Sequence, residues 1–192
     1  MNEVRVWSEQ SMGKGWKAIC HHQFDRHRLL IGEWFHNVGV LAFSINQDAD
    51  LLPDVLPNTF DLPLVSERVQ RVIAAYAPFS VQCLKVHLET KDGVVPYYLL
   101  NLLSVSRIEH LHTTDVFRPV PRRRVYFLTE RRISDSICPH HLMRDERTHR
   151  MFVSAQLARQ FERMAVTGIR FEEIQRMEEF KLNSTQSIIG SR

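Results

Sequence analysis

The sequence predicts an α+β domain, a mostly antiparallel sheet with two or more helices, and three observations carry that prediction. In "LVSERVQRVIAAYAPF" Val69, Val72, Ile73 and Tyr76 recur at helical spacing on one face. Two apolar runs, "SVQCLKVHLE" and "VPYYLLNLLSV", meet across an Asp92-Gly93 pair, a strong short hairpin signal. The same order of a Val-Ser pair, a helical stretch and a strand returns 88 residues later in "FVSAQLARQFERMAVTGIRFEEI".

Taken in order, "EVRVW" reads as a first strand and "GVLAFSI", residues 39–45, as another. The stretch between them, "GKGWKAICHHQFDRHRLLIGEWF", has no clean period and assigns no element. Residues 46–63 hold three prolines, which remove backbone donors and disfavour helix before them. Their leucines and Phe60 suggest a loop packed on the surface rather than a free linker. Ser66 is the expected N-cap of the first helix, its hydroxyl accepting from first-turn amides. Glu67 adds charge of the favourable sign, and Pro78 ends the helix.

The return strand through Tyr97 and Asn101 is apolar enough to be buried on both faces. In the later unit Leu157, Phe161 and Met164 line one helical face, and Gly168 suits the left-handed residue after a helix. The two strand–helix–strand pieces suggest pseudo-repeated halves. Duplication and independent use of a common local solution both stay open at this point. The expected organisation is one domain over 1–180, from five to eight strands, and a polar flexible tail over 181–192.

Composition narrows the function. At 192 residues with 44% hydrophobic and 24% charged residues, the chain has enough to bury a core without metal or disulfide. Cys20, Cys83 and Cys138 are odd in number and far apart, which points to a reducing compartment. No apolar run reaches a membrane span, and the first residues lack the apolar core of a signal peptide, so the expected location is cytoplasmic. A formal charge of +3 is too small for a nucleic-acid protein, which makes nucleic acid a disfavoured partner.

Chemistry-bearing clusters are few. Cys138, His140, His141 and His149 supply zinc-type donors, as do Cys20, His21, His22 and His27. Neither set has zinc spacing, because adjacent residues on a strand face opposite sides. No HExxH, CxxC, G-x-S-x-G or glycine-rich phosphate loop occurs. The expectation is a non-enzymatic chain with no cofactor. The rival is a metal-dependent enzyme built on the first cluster.

In "PRRRVYFLTERR", Arg122, Arg123, Arg124, Arg131 and Arg132 flank a strand-like run holding Tyr126. Arginine suits carboxylate and phosphate alike, and Tyr126 or Phe127 could stack on a base or anchor a protein contact. Glu130, Asp135, Asp145 and Glu146 dilute the field. Protection of a strand edge is the plainer reading, a protein interface the second and nucleic acid the third.

The order "LPLVSERVQRVIAAYAP", "PYYLLNLLSV" and "MFVSAQLARQFERMAVTGIRFEEI" resembles a bacterial family described as immunity protein family eleven, whose members belong to polymorphic toxin systems. The resemblance spans residues 50–175. It implies a cytoplasmic protein that neutralises a cognate toxin by direct contact. The matched positions are caps and core, so the resemblance transfers no binding residue. In that reading Arg122, Arg123, Arg124, Tyr126, Arg131 and Arg132 face the toxin.

Overall fold

The computed structural model describes residues 4–10, 16–23, 25–60, 62–106, 111–115, 124–128, 140–173 and 175–176. It is α+β, with three sheets in which antiparallel ladders predominate.

The six-stranded sheet joins β2 (Ile19–Cys20), β3 (Leu41–Ser44), β4 (Val55–Leu56), β5 (Leu64–Ser66), β6 (Val81–Thr90) and β7 (Gly93–Leu102) in the order β2-β3-β6-β7-β5-β4. The five-stranded sheet joins β1 (Val4–Glu9), β8 (Val105–Ser106), β11 (Leu142–Asp145), β12 (Met151–Ser154) and β13 (Ile169–Glu173) in the order β13-β1-β12-β11-β8. A small third sheet holds β9 (Leu111–Asp115), β10 (Arg124–Leu128) and β14 (Gln175–Arg176). The α-helices among the described residues are α1 (Arg26–Leu30), α2 (Glu67–Tyr76) and α3 (Ala155–Arg163). The strand count exceeds the sequence expectation. Four of the additional strands (β2, β4, β8 and β14) are two-residue ladders, too short to show a period.

The two Val-Ser units adopt the same topology. In the first, β5 and β6 flank α2 in sequence and lie parallel on either side of β7, to which both are antiparallel. In the second, β12 and β13 flank α3 and lie likewise on either side of β1. Each is a split βαβ unit. The central strand follows its unit in the first case and precedes it in the second.

Both helices bury their stripes in one core. Val69 and Ile73 of α2 and Leu157, Ala158 and Phe161 of α3 meet Leu100 and Leu102 of β7, Val153 of β12 and Trp7 of β1. Trp7 packs edge-on against Phe161 and Phe171, which stack on each other. The other face of the six-stranded sheet carries a second core, in which Leu84, Val86, Leu88, Tyr97 and Leu99 pack with Leu29 and Phe35. Neighbours Leu99 and Leu100 thus enter different cores, so β7 is buried on both faces as its composition predicts.

Two local expectations need correction, and a third goes further than expected. Residues 46–63 are packed, as their leucines suggest, and Val55, Leu56 and Leu62 are fully buried. Their backbone is satisfied from within: Val55 N donates to Thr167 O, and Asn58 Nδ2 donates to the Leu56 and Leu62 carbonyls. Ser66 occupies the N-cap, but its hydroxyl donates to Asp54 Oδ1 and makes no cap bond. Its counterpart Ser154 does cap, accepting from Leu157 N.

Gly168 is not the residue that closes α3. Ala165 stands there with φ 50°, while Ala165 N donates to Glu162 O and Val166 N to Phe161 O, a Schellman closure. Gly168 is left-handed for another reason. A Cβ there would sit 2.0 Å from Val55 O, so the chain approaches too closely for any side chain.

Candidate partner-binding site

Within the stretch that gave no period in the sequence, residues 25–35 form a surface turn held by many hydrogen bonds. Asp25 caps α1 by accepting from His27 N, and the helix runs only to Leu30. Gly32 follows at φ 73°, where a Cβ would lie 2.7 Å from Leu102 O and 2.8 Å from Val105 Cγ2. Glycine therefore seats this turn directly on the ends of β7 and β8.

Buried side chains then grip the segment from beneath. Arg144 Nη1 donates to Leu29 O at 2.9 Å and also to Leu30 O. Asn101 Nδ2 donates to Glu33 O at 2.7 Å and to Gln82 Oε1. The Gln82 amide pairs with both backbone groups of Phe35, accepting from N at 3.0 Å and donating to O at 2.7 Å. Phe35 itself is buried. Above it, the Arg28 guanidinium lies 4.9 Å from the ring centroid and forms a two-pronged ion pair with Glu33. That pairing raises the Arg28 pKa and lowers the Glu33 pKa.

Trp34 stands between these two fixed residues and is 50% exposed. Ile31 and Val40 are also exposed. Phe79, 91% exposed, belongs to the same end of the sheet: its neighbour Ser80 accepts from Leu103 N, and Leu103 O lies against Gly32. A large aromatic whose backbone is fixed on both sides binds with little loss of conformational entropy. Tryptophan is among the residues enriched at interface hot spots.

The electrostatics beneath the turn are unusual. Arg144 is 1% exposed, its Nη2 has no hydrogen-bond partner, and among the described residues no carboxylate pairs with it. Burial, with a contribution from Arg26, pushes its pKa down to about 10, so the guanidinium is still charged at neutral pH. A buried cation without a counter-ion is costly, and a nearby anion would relieve it.

The histidine clusters are dispersed. His140 Nδ1 reaches Ser80 Oγ at 3.4 Å, whereas His141 Nδ1 pairs with Ser154 Oγ at 2.9 Å and sets its ring edge-on against Tyr76. His149 is exposed after the β11 turn, and Cys138 lies outside the described residues. His21 pairs with Ser44, and the Cys20 sulfur with the backbone of His22. Among the described residues no three His, Cys, Asp or Glu side chains are placed to share an ion. Burial raises the thiol pKa of both Cys83 and Cys20.

Of the arginine-rich run, Arg124 and Tyr126 lie on β10, which pairs with β9 and β14, in keeping with the predicted strand. Arg122, Arg123, Arg131 and Arg132 lie outside the described residues. Sequence reasoning missed Trp34, Asn101, Gln82 and Arg144. Asn101 and Gln82 lie in runs read only as strands, and for Trp34 only the bare signal of a tryptophan after a Gly-Glu pair was available.

No protein-family model matches the chain, and no curated protein matches it. Among the described residues no helix is long and apolar enough to cross a membrane.

Proposed function

We propose that this chain is an immunity-type protein that binds a toxin and neutralises it by direct contact. The observation that carries the reading is Trp34, half-exposed on a backbone gripped from below by Arg144, Asn101 and Gln82. An inhibitor needs a rigid scaffold and a pre-shaped anchor more than it needs catalytic groups. The resemblance of residues 50–175 to immunity protein family eleven supports the same reading and names the class of partner.

The arginine-rich run is a second contact in this proposal, with Arg122, Arg123, Arg124, Arg131 and Arg132 facing carboxylates of the toxin. Inhibitory complexes of ordinary size bury about 1,600 Å² in total.

The test is co-expression with the toxin-like product of the adjacent gene. Restored growth and a complex that co-elutes in gel filtration are the expected results. Unrelieved toxicity together with separate elution would overturn the proposal.

A further inference from the structure

We infer that the face presenting Trp34 takes an acidic segment of its protein partner, apolar residues interleaved with aspartate and glutamate. The inference rests on the binding surface assigned above and names the chemistry of what it binds.

Two independent observations converge. The first is the apolar group itself. Ile31 and Trp34 are half-exposed within four residues, and Phe79 stands at the same end of the sheet. Ile31 and Trp34, exposed together on one short turn, offer a partner a local apolar surface. The second is charge. Arg28 and Glu33 neutralise each other, whereas Arg144 beneath the same turn has no carboxylate partner among the described residues and an idle Nη2.

The Leu29 and Leu30 carbonyls that Arg144 holds carry only partial negative charge, so they leave most of its field unanswered. Arg144 lies directly beneath this turn, its Nη1 2.9 Å from the Leu29 carbonyl. An incoming carboxylate at the surface would be favoured there, and a lysine or arginine disfavoured. The apolar residues of the same segment would cover Ile31 and Trp34. Hydrophobic contact then supplies most of the affinity and the buried cation selects the sign of the partner.

The test uses the full chain and two fluorescein-labelled short peptides, followed by fluorescence polarisation. Both peptides carry the same interleaved leucines and phenylalanines; one carries aspartate and glutamate, the other lysine. The acidic peptide is expected to bind about tenfold or more tightly than the basic one, with affinity falling as sodium chloride is raised. Trp34→Ala is expected to weaken acidic-peptide binding about tenfold or more. Arg144→Met, checked for folding by its thermal melt, is expected to narrow the difference between the two peptides. Equal binding of both peptides, no saturable binding of either, or binding indifferent to Trp34→Ala would overturn the inference. The peptides contain no toxin, so this result and the growth-rescue result stand or fall separately.

Discussion

Asp54 and Thr167, 113 positions apart in sequence, hold each other through three reciprocal hydrogen bonds. Asp54 N donates to Thr167 Oγ1, while Thr167 N and Oγ1 both donate to Asp54 Oδ2. Ser66 and Arg68 at the start of α2 complete the shell of the carboxylate. Arg68 also donates to the Met164 and Ala165 carbonyls beyond α3. One buried carboxylate thus ties the first split βαβ unit to the second.

Acid sensitivity follows from this carboxylate. Burial opposes its ionisation, but the hydrogen bonds from Arg68, Thr167 and Ser66 outweigh that and bring its pKa down from 3.8 to about 2. A depressed folded pKa stabilises the protein above the unfolded value, and the contribution is lost as pH falls from about 4 towards 2. Asp54→Asn is expected to cost about 2 kcal/mol at neutral pH. Urea unfolding across pH should show the gap between wild type and variant closing below pH 4. A constant gap would contradict this account.

The turn after α3 gives two substitutions of opposite sign. Ala165 holds a left-handed conformation that glycine adopts freely, so Ala165→Gly is expected to raise stability by about 0.5–1 kcal/mol. Gly168→Ala is expected to lower it by about 2 kcal/mol or more, because the new Cβ meets Val55 O. Thermal melts of the two variants should move in opposite directions.

Trp34 separates binding from folding. Half of its surface already faces water, so Trp34→Ala is expected to shift stability far less than Phe161→Ala, a core truncation that costs about 3–5 kcal/mol. Affinity for the toxin is expected to fall about thirtyfold or more, as at an aromatic hot spot. Calorimetric melting and surface plasmon resonance on the same preparations decide it, and unchanged affinity would remove Trp34 from the interface.

Charge reversal of Arg122, Arg123 and Arg124 to glutamate is expected to leave the melt unchanged and to weaken toxin binding, mainly by slowing association. Equal association rates at low salt would return these residues to protection of a strand edge.

Much of the scaffold was legible because it rests on local chemistry. The helical face Val69–Val72–Ile73–Tyr76, the Asp92-Gly93 hairpin and the two-sided burial of β7 follow from side-chain periodicity and turn preference, which act over a few residues. The repeated Val-Ser unit was legible too, and each copy became a split βαβ unit. Tertiary contact alone decided the rest. Ser66 gave up its cap bond because Asp54 came within reach from twelve residues away, and Gly168 is demanded by a carbonyl of Val55 that no neighbouring residue encodes. The backbone around Trp34 is fixed only because Gln82 and Asn101, register partners on the paired strands β6 and β7, and Arg144 of β11 converge under one turn of chain. Local sequence sets which conformation each segment prefers; which polar groups end up buried together, and so what must be paired or left unpaired, is settled only when those segments pack.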